Sequence, residues 1–317
     1  MAKPELIARA GKPDAPERGY AVNGGVAALS GIQRKPVSYS DVVVRQYLKN
    51  RGAVGGAIFL LIVLLVAILA PTLAPYDPYE MHPKSQLLGP SLEFPFGTDQ
   101  YGRDMLSRVM YGARISLMVG FAANVFSVAL GMIVGISAGY YGGRYDLVVM
   151  RIMDMIFAFP GLLLALSIIG LVGQRGIIWV VIALSIVWIP MYARLIRGSV
   201  LSAKENTYVE AARVVGMGSG RIMWRHILPN TVAPVIVVAS LCVGVAIRNA
   251  AALSFLGMGA QPPEPEWGMM LFETKQFLRL NPWVTVSPGL AILLTVLAFN
   301  LVGDGLRSAL DPKLKVG

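Results

Sequence analysis

The sequence contains few of the residues that metal proteins and many enzymes use. It has one cysteine, Cys242, and only two histidines, His82 and His226, among 317 residues. A single cysteine excludes an intramolecular disulfide and a zinc cluster, and the apolar neighbours of Cys242 predict a small buried residue. The topology predicted below separates the two histidines by a membrane. No metal site or catalytic triad can be built from them, which argues against an enzyme.

Charged residues are also scarce. They make up 15% of the chain, against roughly 25% in soluble domains, whereas 55% of the residues are hydrophobic and the mean hydropathy is +0.61. This composition excludes an ordinary soluble domain and predicts a membrane protein. The net charge of +10 does not by itself indicate nucleic-acid binding, because its distribution along the chain is that of a membrane topology.

A nucleotide-binding loop of the Walker A type, G-x-x-x-x-G-K-[ST], is missing. The only Gly-Lys pair, Gly11-Lys12, is followed by Pro13 and has no partner glycine five residues upstream. Such a loop holds phosphates with its backbone N–H groups and its lysine. We therefore expect that this chain does not bind ATP through a Walker A loop.

Long uncharged stretches, in contrast, are abundant. A membrane-spanning helix needs about 20 mainly apolar residues. Six charge-free runs approach or exceed this length, at residues 52–76, 115–143, 155–174, 176–193, 227–247 and 280–303. We predict an all-α membrane protein with six transmembrane helices, in which residues 46–317 form the membrane domain. Residues 1–45 are rich in Lys, Arg, Pro and Gly, which predicts a mostly disordered tail.

The distribution of Lys and Arg predicts the orientation. Short cytoplasmic loops hold these residues preferentially. If the N-terminus is cytoplasmic, Lys and Arg on the inside outnumber those on the outside about threefold. Both termini are therefore predicted to be cytoplasmic, residues 77–114 to be an extracytoplasmic loop, and residues 198–230 to be a cytoplasmic loop.

The cytoplasmic loop 198–230 carries the sequence features of two short helices. Ser202 and Glu205 have the spacing of a capping box, and Gly216 is suited to a left-handed helix stop. A second helix is predicted from Ser219, and Pro229 is predicted to end it. The expected structure is a helical hairpin between the fourth and fifth spans.

The same loop resembles the EAA loop of bacterial ABC importer membrane subunits. The resemblance rests on Glu210-Ala-Ala, Gly216 and His226-x-Leu228-Pro229 at their spacing, with His226 standing where the family pattern has Ile. Further stretches resemble the second permease of dipeptide, oligopeptide and nickel importers, at residues 96–108, 253–268 and 294–313. Together these matches cover about residues 40–316.

This resemblance implies an ABC importer type I permease fold in a bacterial inner membrane. The hairpin would sit in a groove on a separate ATPase subunit, with Glu210 accepting hydrogen bonds or an ion pair and the small Ala211 and Ala212 allowing close approach. The residues assigned to coupling are Glu210, Ala211, Ala212, Gly216, His226, Leu228 and Pro229.

The same family organisation implies the partners. They are a homologous second permease, two ATPase subunits and an extracytoplasmic substrate-binding protein. The chain would hold no cofactor, because ATP and Mg²⁺ would be bound by the ATPases. The implied function is import of dipeptides or oligopeptides by alternating access.

Arg248 is a candidate for the translocation path. It follows the fifth uncharged run, about 25 Å along a helix that begins near Thr231. An intramembrane cation is a candidate for the path, and a peptide offers it a carboxylate. The alternative is that its side chain extends to the outer headgroups.

Two further pairs, Arg151 with Asp154 and Asp304 with Arg307, lie near the inner ends of spans three and six. Their spacing of three residues predicts local ion pairs at the cytoplasmic border. A gating role is the alternative.

Other functions stay open at this stage. Within the family, nickel, glutathione and other small solutes are alternative substrates. A secondary transporter is less favoured, because it would be expected to show an internal repeat or ion-binding carboxylates near the membrane midplane.

Overall fold

The computed structural model describes residues 39–310, with side chains described from residue 43. The chain divides into two units, residues 1–42 and residues 43–317, and the second is the one described below. Within the described residues there is no β-strand, only an isolated bridge between Thr98 and Asp104. The all-α prediction is confirmed.

The helices are numbered in chain order. Their bounds are α1 Tyr39–Lys49, α2 Arg51–Leu73, α3 Met105–Tyr141, α4 Gly143–Phe157, α5 Gly161–Val172, α6 Ile177–Ala203, α7 Thr207–Val214, α8 Ser219–Arg221, α9 Leu228–Phe255, α10 Trp267–Thr274 and α11 Trp283–Leu310. A π-helix, Ile222–Ile227, joins α8 to α9 without a break.

Among the described residues, five helices are long and apolar enough to cross a membrane, and a broken pair can supply the sixth span. The uninterrupted spans are α2, α3, α6, α11 and the continuous stretch Ser219–Phe255. The pair is α4 and α5, bent by 91°. Pro160 lies at this bend. It has no N–H for a helical hydrogen bond, and it disfavours helical geometry at the residue before it.

Close packing of α3 against its neighbours depends on glycine. A Cβ at Gly135 would lie 2.5 Å from the carbonyl oxygen of Ala193, and one at Gly139 would lie 2.9 Å from Cβ of Val200. Because neither glycine has a side chain, α3 and α6 approach backbone to backbone, as small residues permit in membrane helix pairs.

The main core cluster lies where α3, α6 and α9 meet the segment between α6 and α9. Ile136, Tyr192, Ile196 and Val200 are buried there, and Cys242 joins them with 8% exposure. The prediction that Cys242 is a small buried residue is confirmed.

Several predicted boundaries differ from the structure. Helix α3 begins at Met105, where Asp104 caps it by accepting a hydrogen bond from the Ser107 N–H at 2.7 Å. The predicted loop 77–114 therefore ends earlier than expected, because a charged first turn does not prevent a helix from starting. Residues 39–45 of the predicted tail lie in α1, and its first 38 residues lie outside the described part.

Candidate functional site

The segment between α6 and α9 forms the predicted helical hairpin. Helix α7 is followed by Gly216 with φ of +80°, which is the left-handed conformation that glycine adopts without strain. Helix α8 then begins at Ser219. The predicted turn and the start of the second helix are confirmed.

Two predicted helix ends in the hairpin are wrong. Ser202 does not begin a helix, because α6 continues to Ala203 and Asn206 occupies the N-cap position of α7. The predicted loop 198–230 is shorter than expected for the same reason. Pro229 does not end a helix but is the second residue of α9, inside the continuous helical stretch that begins at Ser219.

The hairpin has one face packed on the core and one face exposed. Val209 is fully buried and Ala212 is 5% exposed, both within the core cluster. Glu210 and Ala211 are exposed, as is Val214 with 82% exposure. The expectation that Ala212 faces a partner is therefore wrong, since it packs against this chain. Glu210 and Ala211 remain on the free face.

The His226-x-Leu228-Pro229 end of the pattern lies at the π-helix. The N–H of Leu228 donates to the carbonyl of Met223, five residues back, so the turn is one residue wider than in an α-helix. Ile227 is fully buried, whereas His226 is half-buried and its carbonyl accepts from Nδ2 of Asn230 at 2.8 Å. Leu228 packs against the core cluster, and Pro229 is exposed.

Arg248 is exposed on α9, two turns before the end of that helix at Phe255. Within the described part of the chain, its guanidinium has no hydrogen bond or ion pair. A cation in this position is costly against lipid chains, because an unpaired charge loses its hydration there. The face of α9 that carries Arg248 therefore requires water, substrate or another polar surface.

The predicted local ion pair between Arg151 and Asp154 is wrong. Asp154 instead accepts from Nη2 of Arg194 at 2.9 Å, and the neighbouring Asp146 accepts from Nε and Nη2 of Arg197, both at 2.5 Å. The reason is tertiary, because α4 packs against α6 and brings both carboxylates to arginines on that helix. Both pairs tie α4 to α6.

Asp304 and Arg307 lie on the last turns of α11, and both are exposed. Among the described residues they form no ion pair with each other or with a third residue. The prediction of a local pair is therefore wrong in this structure. Exposed pairs at this spacing contribute little energy in any case.

A cluster of buried charges at the opposite end of the bundle was not predicted from the sequence. Asp99 accepts from Nε of Arg103 at 2.6 Å, and Glu273 on α10 accepts from Arg103 at 3.3 Å and from Arg108 at 3.1 Å. The four side chains are between 0% and 8% exposed. They connect the segment before α3 with α10, more than 160 residues later.

Glu266 is a second buried carboxylate, and it caps α10. It accepts hydrogen bonds from the N–H groups of Gly268 and Met269 at 3.0 and 2.8 Å and from Oγ of Ser116 at 3.2 Å. Burial raises the pKa of Glu266, and these hydrogen bonds oppose the shift without cancelling it. The carboxylate fixes the proline-rich segment that precedes it against α3.

The fold and these elements define a multi-span helical membrane protein with an anchored hairpin between two spans. Residues 131–316 match the family described as binding-protein-dependent transport system inner membrane component, and residues 38–90 match the N-terminal transmembrane domain of oligopeptide transport permease C. The chain belongs to this family of ABC transporter permease subunits. Such subunits lie in the bacterial inner membrane and are not themselves catalytic.

Several curated relatives are similar over most of their length. The dipeptide transport system permease protein DppC of Alkalihalophilus pseudofirmus is 47% identical over 86% of this chain and 89% of its own. The di/tripeptide transport system permease protein DppC of Pseudomonas aeruginosa is 47% identical over 90% of this chain and 99% of its own. The glutathione transport system permease protein GsiD of Pectobacterium atrosepticum is 48% identical over 86% of this chain and 90% of its own.

A solved structure shares the fold. An inward-facing conformation of the MetNI methionine ABC transporter contains a chain with a TM-score of 0.54 and 17% sequence identity, and the match covers 65% of this chain and 98% of that chain. The predicted ABC importer permease fold is thereby confirmed.

Proposed function

We propose that this chain is a membrane subunit of an ATP-driven importer of dipeptides or oligopeptides. The observation that carries the proposal is the hairpin between α6 and α9. One of its faces is held in the core by Val209 and Ala212, and the other presents Glu210 and Ala211. A short helical element fixed on one side and open on the other is suited to dock a second protein and to pass its movement to the attached spans.

The mechanism follows from this connection. ATP binding closes two partner ATPase subunits, which hold ATP and Mg²⁺, and the hairpin transmits the closure to α6 and α9. The spans then move between outward-open and inward-open arrangements, so that substrate is released into the cytoplasm. The hairpin and both termini lie on the cytoplasmic side, in agreement with the excess of Lys and Arg there.

The complete importer contains further subunits. A homologous second permease completes the path, because six helices alone enclose a narrow space. An extracytoplasmic binding protein delivers the substrate to the opposite end of the bundle, where residues 79–93 are largely exposed. This end is held together by the buried charges Asp99, Arg103, Arg108 and Glu273.

The substrate class is supported by the names of similar permeases. Two of them are named for dipeptides or di- and tripeptides, and one for glutathione, which is itself a tripeptide. Short peptides are therefore the common class. Glutathione and nickel remain alternative substrates, and a substrate-binding protein purified with the complex would distinguish them by the ligand that it holds.

The coupling role is tested with Glu210→Arg in the assembled importer. We expect loss of ATPase co-purification or of substrate-stimulated ATP hydrolysis, because reversal of an exposed charge on the free face disrupts the docking contact. Glu93→Arg makes the same charge change at the opposite end of the bundle and is the control for co-purification of the ATPase subunits. Normal co-purification, stimulated ATPase activity and uptake in Glu210→Arg would show that the hairpin is not the coupling element.

A further inference from the structure

An open cavity of about 550 Å³ lies between α6, the start of α7 and the first turns of α9. This volume is within the usual range for small-molecule sites. Its wall contains no charged side chain and is formed largely by hydroxyl and amide groups. The polar residues that line it are Ser199, Ser202, Asn206, Tyr208, Asn230 and Thr231.

Four of the six polar side chains in the wall already donate to backbone carbonyls, whereas the hydroxyls of Ser202 and Tyr208 donate to no group among the described residues. Nδ2 of Asn206 donates to the carbonyls of Ser202 and Ala203, and Nδ2 of Asn230 donates to the carbonyl of His226. The hydroxyl of Thr231 likewise donates to the carbonyl of Leu228 at 3.0 Å.

The side-chain oxygens of these residues are therefore free. Oδ1 of Asn206 does not cap α7, and among the described residues no donor bonds to it or to Oδ1 of Asn230. The hydroxyl oxygens keep acceptor capacity too, because a hydroxyl that donates one hydrogen bond can still accept others. The cavity is thus suited to a ligand with several N–H groups.

The cavity and Arg248 lie on the same face of α9. Asn230 precedes Arg248 by 18 residues, which is five turns of 3.6 residues, so the two side chains project in the same direction about 27 Å apart. Leu241 lies between them on this face and packs against Gly303 of α11. One stripe of α9 therefore carries a cation toward one end and an acceptor-rich cavity at the other.

We propose that the cavity is an inner peptide subsite, which binds the protonated amino terminus and the backbone N–H groups of the transported peptide before its release. The proposal rests on the peptide-import function above and adds a second peptide-binding site to the translocation path. Arg248 offers a positive charge to the peptide carboxylate near the outer end, and the cavity offers oxygen acceptors to the amino end. Because the wall is uncharged, binding does not select for the charge of the peptide side chains.

The position of the cavity also links its occupancy to the hairpin. Asn206 and Tyr208 lie at the start of the hairpin and Asn230 lies just after it, with Nδ2 of Asn230 and the hydroxyl of Tyr208 3.5 Å apart. A ligand in the cavity touches both connections between the hairpin and the spans. Movement of the hairpin therefore changes the shape of the subsite, and this couples peptide release to the ATPase cycle.

The first test fills the cavity. Gly198 lines it, and a Cβ at this position would meet no atom within 4 Å, so a side chain can enter the space without disturbing the helix. Gly198→Phe in the assembled importer is expected to lower peptide uptake at least tenfold. Gly170→Phe is the matched control, because Gly170 also has open space within 4 Å but lies on α5, away from the cavity. Equal uptake by the two variants at equal assembly would overturn the proposal.

The second test detects the peptide directly and does not depend on the Gly198 variant. In a Cys242→Ala background, Ser202→Cys places a thiol in the cavity wall and Gly170→Cys places one outside it. On inside-out vesicles, a dipeptide is expected to slow maleimide labelling of Ser202→Cys several-fold. An N-acetylated dipeptide, which lacks the charged amino group, should protect less, and Gly170→Cys should not be protected.

The outcomes separate this proposal from the proposed function. Equal labelling of Ser202→Cys with and without the dipeptide, in a complex that imports peptides, would overturn the subsite alone. A wild-type complex that imports no peptide would overturn the proposed function itself.

Discussion

Nη2 of Arg108, on the first turn of α3, lies 3.1 Å from Oε2 of Glu273 on α10, and the two side chains are 0% and 8% exposed. Arg103 donates to the same carboxylate at 3.3 Å and to Asp99 at 2.6 Å. Two positive and two negative charges thus compensate each other away from water. Their contact fixes the segment before α3 to the segment before α11, at the end of the bundle opposite the hairpin.

We expect Glu273→Ala to destabilise this end strongly. Removing one member of a buried charge group leaves the others without compensation, at a cost of about 3–5 kcal/mol. Thermal unfolding of the purified importer can be followed by maleimide reaction of Cys242, which is buried in the folded chain. Glu264→Ala removes an exposed acidic residue from the same region and is the control. A midpoint for Glu273→Ala equal to that of the control would contradict the structural role of the cluster.

The packing of α3 against α6 leads to a second prediction. Gly135→Val places a branched side chain where even a Cβ would lie 2.5 Å from the carbonyl of Ala193 and 2.9 Å from Cβ of Ile196. Overpacking of this kind costs about 1–3 kcal/mol, and we expect a lower yield of assembled complex and a lower unfolding midpoint. Gly170→Val, where a Cβ meets open space, should have little effect. If both variants lowered the yield and the unfolding midpoint equally, the effect of Gly135→Val could not be attributed to the close approach of α3 and α6.

The raised pKa of Glu266 predicts a specific pH dependence. A carboxyl group whose pKa is higher in the folded chain stabilises the fold below its unfolded pKa, here near the ordinary value of 4.5. This contribution is lost as the pH rises through the folded pKa, because the unfolded chain then gains more by losing the proton. Glu266→Gln cannot lose a proton. We therefore expect the wild type to lose stability relative to Glu266→Gln as the pH is raised from 4.5, so that the difference between their unfolding midpoints, wild type minus variant, decreases. A difference that does not change with pH would contradict the raised pKa.

The parts of the fold that depend on local sequence were predictable. The lengths of the uncharged runs predicted the spans, and Gly216 predicted the turn of the hairpin, because each of these features is determined by residues that are adjacent in the sequence. Gly135 and Gly139 fit close helix packing for the same reason, since their spacing puts them on one side of α3. Pro160 interrupts the third span, but its 91° bend also depends on how α4 packs against α6.

The parts that depend on distant contacts were not predictable. Asp154 has Arg151 one turn away, yet its partner is Arg194 on another helix. Arg108 and Glu273 lie in stretches that look like solvated loop, and nothing in the order of residues indicates that they meet. A small residue such as Ala212 is suited to close contact with a partner protein. Only the packing of α7 shows that Ala212 faces this chain instead.

Arg248 provides the most direct test of the transport path. If its guanidinium receives the peptide carboxylate, Arg248→Gln removes a charge-assisted hydrogen bond worth about 1.5–3 kcal/mol, which corresponds to at least a tenfold loss of uptake. Arg248→Lys keeps the charge but cannot make a bidentate contact with a carboxylate, so we expect an intermediate loss of uptake. Arg279→Gln removes an exposed arginine outside the spans and should leave uptake unchanged. Normal uptake in Arg248→Gln, with the complex fully assembled, would mean that the side chain reaches the headgroup region and does not contact the peptide.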